Sequence, residues 1–358
     1  MASRRALAGL QRQQGFVLAV TLWLLAGIAV VVGTMTLWSI DRVRDASTNR
    51  AGVEDRIAMA STRDTLVYIA ATRELTVAGL PLKPIEAAER AQLLLDEFGA
   101  LRHDPVGGEL LLDGTPYAGL GDTVFAIQDE AGLFSLTWPN PFQLDGFLTA
   151  QGAERDQVPR LRDALLDYID ADDLAHLNGA EARDYRASKR EPPPNRRLLL
   201  PIEVLRVYEW WKLPAEARRR IPEITTTFES GAVNLNTAPA ALLPTWISGC
   251  PANCEALIAR RARAPYRSGY ELQTELGIRL PGDDLIDYRF MPSESMRFTL
   301  WGRSGEAWRI HVRLTPLADR RAPWAVLAAY PVPIPRPIPQ DIKPIEDPLF
   351  TDAKTDRP

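Results

Sequence analysis

The chain has 358 residues, of which 46% are hydrophobic and 25% charged, with a formal net charge of -4 and two cysteines. That length supports two or three domains with their own cores and excludes a small disulfide-stapled module. The mild acidity argues against nucleic acid as the principal partner.

The N-terminus places Arg4, Arg5 and Arg12 ahead of Gly15, and no residue from Phe16 to Ile40 carries a formal charge. At about 1.5 Å per residue that run is long enough to cross a hydrocarbon core of about 30 Å. It predicts a single membrane pass with the arginines cytoplasmic and the rest exported. A secretory signal has a shorter apolar core with the cleavage site behind it, whereas Gly15-Phe16 stands in front, the order of a prepilin leader. An uncut signal anchor is the alternative at this junction. Loss of residues 1–15 would remove three arginines and no acid, taking the net charge to about -7.

Helical spacing continues through Val43, Ala46, Val53, Ile57, Ala60, Val67 and Ala71, and Gly79 with Pro81 predicts an end near Ala78. Pro84 to Gly99 reads as a short helix. Strands are predicted at Glu109 to Asp113, Thr123 to Gln128 and Leu133 to Thr137, the last two forming a hairpin around Asp129-Glu130-Ala131-Gly132.

From about Asp145 to Leu213 the period is helical, and Val158 to Ile169 is amphipathic. Asp167, Asp170, Asp172 and Asp173 fall within seven residues, with Glu181 and Asp184 a short loop away. So many carboxylates need solvent or a cation to screen them, and hard oxygen ligands on a flexible loop suit calcium, although the register is not that of an EF-hand. The alternative is a solvated turn in which Asp170 and Asp173 cap helices.

Asn236-Thr237 before Ala238-Pro239 predicts a capped helix start, followed by helices at Cys254 to Ala262 and Tyr270 to Leu276. Cys250 and Cys254, at i and i+4 and about 6 Å apart on a helix, can form a local disulfide in an exported segment. A zinc site would need two further ligands, and the three histidines lie far off in sequence. Arg260, Arg261, Arg263 and Arg267 raise the alternative of a membrane-tethered, DNA-binding helix-hairpin-helix protein. Against it, Ser248-Gly249-Cys250-Pro251 lacks the second glycine of a phosphate-gripping hairpin, and Pro251 has no amide donor.

Strands return at Met296 to Trp301, Ala307 to Thr315 and Trp324 to Tyr330, so the helical region reads as an insertion between strands of one sheet. Residues 331–358 hold eight prolines and predict an extended or disordered, solvated tail. No motif for catalysis is present, and the paired acids Asp129-Glu130 read as turn residues, so no enzyme is expected.

Four features together resemble one family. Val20, fifth after the predicted cut, stands where most pilins and pseudopilins carry glutamate. "FAIQDEAGLFSL" is similar to a hairpin of the family, "LLDYIDADD" with Glu181 to Tyr185 to its inserted helical domain, and "NLNTAP" to the later half of that insertion. Tyr168 replaces a tryptophan of the family pattern. The resemblance is to the K-type minor pseudopilin of type II secretion systems, the general secretion pathway protein K family. It implies an α+β pilin-like fold, with a long N-terminal transmembrane helix on an antiparallel sheet and a large all-α domain inserted between strands. The expected divisions are a leader (1–15), the pilin helix (16–80, membrane-spanning at 16–40), a first pilin-like α/β segment (81–137), the inserted domain (138–290, divided at 230/231), the closing pilin-like strands (291–330) and the tail (331–358). The resemblance further implies a tip position marked by Val20 and a place in the inner membrane with a periplasmic soluble region. It implies cleavage between Gly15 and Phe16 by a prepilin peptidase with methylation of the new amine, bound calcium, and contact with I- and J-type minor pseudopilins and other secretion components. No nucleic acid is expected; a type IV pilus minor pilin and the membrane-tethered DNA-binding protein are the alternatives.

Overall fold

The uncharged run forms the beginning of one long helix, α1 (Gln14–Thr72). In the computed structural model residues 14–85, 103–137, 139–283, 285–303, 305–315, 322–334 and 341–351 are described. The leader up to Gln13 and most of the helix expected at Pro84 to Gly99 lie outside them. The chain divides into two units, Met1–Ile57 and Ala58–Pro358.

In the first unit α1 is apolar and long enough to cross a membrane, with a mean hydropathy of 2.6 in its most apolar window. Its large side chains face outward, Phe16 being 76% and Trp23 80% exposed. The polar hydroxyls of this stretch are satisfied within the helix: Thr21 Oγ1 donates to Leu18 O, Thr34 Oγ1 to Val31 O and Thr36 Oγ1 to Val32 O. Such internal pairing is what a nonpolar surrounding requires.

In the second unit the last turns of α1 pack on a five-stranded antiparallel sheet. Its strands are β1 (Asp113–Ala118), β2 (Val124–Asp129), β7 (Ser295–Trp301), β8 (Ala307–Leu314) and β9 (Trp324–Pro331), in the order β1-β2-β7-β8-β9. β2 pairs directly with β7 (Val124 opposite Trp301, Asp129 opposite Met296), so everything between leaves the sheet and returns to it. Strand alternation divides the residues of β7 and β8 between two faces. Met296, Phe298 and Leu300 join Ile310, Val312 and Leu314 in a core with Leu66 and Ile69 of α1. The intervening Arg297, Arg309, His311 and Arg313 contact the inserted segment instead, through Glu223, Glu130 and Phe228. The sheet therefore has one oily face and one charged face, each covered by a different stretch of the chain.

The inserted segment has its own core, running from Phe134 to Phe290 and including Trp210 and Tyr185. Its helices are α2 (Pro141–Ala150), α3 (Val158–Ile169), α4 (Ala182–Ala187), α5 (Ala215–Ile224), α6 (Ala252–Arg261) and α7 (Gly269–Leu276). It is not all-α. Two short parallel pairs, β3 (Phe134–Ser135) with β4 (Thr225–Thr226) and β5 (Val233–Asn234) with β6 (Tyr288–Arg289), tie distant stretches of it together.

Several sequence expectations are corrected. α1 ends at Thr72, not Ala78, because the chain turns at Thr76–Gly79 to bring Leu80 into an antiparallel bridge with Leu110, both fully buried. The strand expected at Glu109 to Asp113 begins at Asp113 instead. The hairpin after β2 does not form: a 3-10 turn at Glu130–Gly132 redirects the chain, and β3 pairs with β4. A Cβ on Gly132 would stand 2.7 Å from Thr237 O, so this turn needs the glycine for close approach. Asn236 and Thr237 do not cap a helix. Asn236 Nδ2 donates to Tyr266 O and Phe290 O, and Thr237 Oγ1 to Asp129. Finally, the described portion of the proline-rich tail is docked. Lys343 pairs with β1 through Pro116 and Ala118, and buried Phe350 stacks on Phe125 with ring centroids 5.6 Å apart. The tail's few apolar residues, not its prolines, decide that outcome.

Candidate functional site

α3 buries Leu161, Leu165 and Tyr168, and the same face carries Asp163 and Asp167, one helical turn apart and both buried. Each carboxylate organises the loop beyond the helix. Asp163 Oδ2 accepts from the backbone N and Nδ2 of Asn178, while Oδ1 accepts from Arg162 Nε. Burial raises the Asp163 pKa, but the Asn178 and Arg162 contacts outweigh it and the net shift is downward. Asp167 Oδ1 accepts from His176 N at 3.0 Å and also contacts His176 Nδ1, and Oδ2 accepts from Ala180 N at 2.7 Å. The hydrogen bond to Asp167 raises the His176 pKa. A Cβ on Gly179 would stand 1.8 Å from Asp167 Oδ2, so only glycine lets the loop close over this carboxylate.

The remaining acids divide into two groups. Asp184 Oδ2 accepts from Glu181 N at the start of α4, Asp172 Oδ1 from Leu174 N, and Asp173 Oδ1 from Asn195 Nδ2. Among the described residues, Asp170 Oδ1 and both carboxylate oxygens of Glu181 are buried without a hydrogen-bond partner. Burial, followed by the charges of Asp167, Asp170 and Asp173, pushes Glu181 up to about 7. Asp170 is raised by burial and by Asp172 and Asp167. Asp167, Asp170 and His176 each bring a ligand atom within 4.8 Å of the others.

Sequence reasoning missed Asn195. Its Nδ2 donates to Asp172 O at 2.7 Å and to Asp173, its backbone is left-handed (φ 48°), and its Oδ1 is buried without a partner among the described residues. The only signal in the sequence was an asparagine after three prolines, a turn residue that tolerates that conformation. Unpartnered, buried oxygens from Asp170, Glu181 and Asn195 around a raised carboxylate pKa are what a hard cation would relieve, and an all-oxygen set fits calcium. The His176 nitrogen is occupied by Asp167.

The other candidates separate in space. Cys250 and Cys254 are joined by a disulfide, with Cα atoms 5.1 Å apart, at the start of α6. All four arginines near α6 are held by the protein, Arg263 Nε donating to Ala259 O at 3.2 Å. Arg260 pairs with Glu275, Arg261 Nη1 donates to Leu235 O and Ala238 O, and Arg267 pairs with Asp104. Gly15 and Phe16 stand at the start of α1, with Val20 one turn further, away from any acidic group of the inserted segment in sequence.

Residues 134–221 match the family model for type II secretion system protein K, first domain. Over that segment the chain is similar to the first domain of protein K. The segment runs from β3 into α5 and contains all six candidate acids and Asn195. A solved structure is also similar: a chain in the crystal structure of the GspK-GspI-GspJ complex from the type 2 secretion system of enterotoxigenic Escherichia coli. It is 15% identical, and the alignment covers 61% of this chain and 83% of that one with a TM-score of 0.44. No curated protein matches the sequence. Within this segment, Tyr168 and Tyr185 pack together at 6.4 Å, and Tyr208 N donates to Tyr185 Oη at 2.7 Å. Trp210 closes the core by donating from Nε1 to Leu161 O. The domain thus fixes α3, and with it the acids at the end of α3, from three sides.

Proposed function

We propose that this protein is a K-type minor pseudopilin at the tip of a type II secretion pseudopilus, where it initiates and caps assembly for export across the outer membrane. The observation that carries the reading is a segment similar to the first domain of protein K, inserted between β2 and β7 of a sheet packed on the end of a membrane-length helix. In a filament core, a buried glutamate near the helix start is tolerable when it pairs with a neighbour's N-terminal amine. Val20 offers no such carboxylate, which suits a subunit with no predecessor. In this reading the chain sits in the inner membrane with its bulk in the periplasm. A prepilin peptidase cuts between Gly15 and Phe16, the new amine is methylated, and I- and J-type minor pseudopilins are its companions. The test is co-expression of the full chain with both companions and the peptidase. The expected product is a detergent-stable complex whose K subunit begins at Phe16. Purification of the chain alone, or an N-terminus at Met1 or within the apolar run, would overturn the assignment.

Calcium belongs to the same proposal. Asp170, Glu181 and Asn195 would hold it, with Asp167, Asp172, Asp173 and Asp184 as neighbouring oxygens, and it would supply the charge that the buried carboxylates lack. Millimolar calcium is expected to stabilise the chelator-treated chain by about 2.7 kcal/mol at a hundredfold excess over Kd. Glu181→Gln should lose most of that gain while melting higher than the parent without metal. Equal melting temperatures of the parent with and without calcium would exclude the site.

A further inference from the structure

We propose that the protein K-like segment carries, beside the acidic cluster, a binding cavity for a carboxylate-rich peptide segment of another protein. The cavity is about 390 Å³ and is lined by Lys189, Arg190, Arg196 and Arg206 against Glu191 and Glu203, with Tyr168 in its wall. Glu203 is already occupied. It accepts from Arg196 at 2.9 Å, from Leu199 N at 2.8 Å and from Tyr168 Oη at 3.4 Å. It also shows how a planar carboxylate is received in this wall. Among the described residues, Lys189 and Arg206 have no side-chain partner, and Arg190 has only the ring of Trp211, over which its guanidinium lies at 3.6 Å. Stacking leaves the in-plane N–H edge of Arg190 unspent, and guanidinium edges receive carboxylates two bonds at a time.

Two further features shape the cavity. Among the described residues, the non-glycine positions with positive φ are Lys189 (55°), Asn195 (48°) and Glu209 (64°). Two of the three bracket the cavity's rim, Arg190 to Pro194, which is stiffened by Pro192, Pro193 and Pro194. Left-handed backbone at residues with a side chain is disfavoured and persists where the surroundings hold it. Moreover, Asn195 anchors this rim to the acidic cluster through Asp172 and Asp173. Lys189 and Arg190 thus stand at a rigid edge, and Arg206 lines the same cavity from the 3-10 turn Pro201–Arg206, all three without an anion among the described residues. The Glu203 carboxylate held by Arg196 in this same wall is the anion the cavity is seen to receive, and the rim's proline-fixed shape favours a chain with several acids over a single small anion.

The experiment uses the full chain in nonionic detergent with calcium present, at physiological salt, titrated with hexaglutamate, hexaglutamine and citrate. Saturable hexaglutamate binding is expected, with no binding of hexaglutamine and at least tenfold weaker binding of citrate. Arg206→Gln should weaken hexaglutamate binding about tenfold, and Arg190→Gln with Arg206→Gln should abolish it. Arg155→Gln, an exposed cation outside the cavity, should leave it unchanged. Because none of these side chains has an ionic partner among the described residues, the single variants should melt with the parent and the double variant slightly lower, for the lost stacking of Arg190 on Trp211, and that is measured alongside. Citrate binding as tight as hexaglutamate would overturn the peptide assignment in favour of a free carboxylate. Unchanged hexaglutamate binding in the double variant, or no saturable binding at all, would overturn the cavity. The reading as a pseudopilin stands or falls separately, on the companion proteins and the processed N-terminus.

Discussion

Asp129→Ala is expected to lower the stability of the folded region by about 3–5 kcal/mol, the range for removing one partner from a buried charged network. Asp129 is completely buried where β2 leaves the sheet. Its Oδ1 accepts from Ala131 N, Ser293 N and Ser293 Oγ, and its Oδ2 from Asn234 Nδ2 and Thr237 Oγ1. Those donors belong to the exit from the sheet, the middle of the insertion and the return to β7. Alanine would leave the amides of Ala131 and Ser293 and the Asn234 Nδ2 facing a cavity without this acceptor, while the Ser293 and Thr237 hydroxyls keep Ser295 O and Asn234 O, and the insertion would lose the point that fixes both of its ends. Gln128 adds to the same junction, donating from Nε2 to Thr237 O at 3.0 Å. The measurement is denaturant unfolding of the full chain in detergent, followed by tryptophan fluorescence. A change below about 1 kcal/mol would show that the junction is held by packing and not by this carboxylate.

His311 and Glu130 should make the fold acid-sensitive, and His311→Gln should remove much of that sensitivity. Both side chains are fully buried, His311 Nδ1 lying 2.6 Å from Glu130 Oε1 and Nε2 lying 2.9 Å from Tyr330 Oη. A neutral imidazole donating from Nδ1 and accepting at Nε2 satisfies both ring nitrogens, while Glu130 Oε2 stays buried without a hydrogen-bond partner among the described residues. Burial lowers the His311 pKa, and Arg297 and Arg309 lower it further, against the pull of Glu130. Burial would raise Glu130, but its hydrogen bond with His311 and the charge of Arg297 outweigh that and keep it below the ordinary carboxylate range. Glu223, in an ion pair with Arg309, and the ring of Phe228 cover the rest of this pocket. Because the folded chain resists protonation at His311, the unfolded chain takes up the proton first as pH falls below about 6.5. Stability therefore drops at up to about 1.4 kcal/mol per pH unit for that one proton, until the depressed folded pKa is reached. Glu130 adds a second loss below about pH 4.5 by the same sign. His176, whose pKa is raised, acts oppositely, gaining stability as it protonates. The difference between parent and His311→Gln isolates His311. Parallel pH profiles from 7.5 to 5 would show that this histidine does not titrate with unfolding.

These two junction residues also mark where the sequence was hardest to read. Asp129-Glu130 before a glycine has the composition of a solvated turn, and Asn236-Thr237 before a proline that of a helix cap. Their partners, Ser293, Asn234 and His311, are about 100 to 180 residues away. Local pattern carries no information about such pairings. The docked Lys343 and Phe350 were invisible for the same reason: a strand edge and an aromatic pocket on β1 and β2 decide the fate of an otherwise unstructured composition. Asn195 was likewise one turn residue among many until the fold placed its amide on Asp172 and Asp173.

What the sequence determined by itself is whatever depends on near neighbours. The uncharged run sets a membrane-length helix, period-3.6 burial sets Val158–Ile169 to the residue, and period-2 alternation sets β7, β8 and β9 to within a residue or two. The crowding of acids after α3 was legible too, because their density along the chain is itself the signal. Only the tertiary structure decided which acids are already satisfied and which are left bare. It also decided that the sheet's second face is charged, and that Lys189, Arg190 and Arg206 stand around one cavity. Each of those outcomes depends on how separate segments meet, and burial can strand an oxygen or gather like charges only once those segments have met.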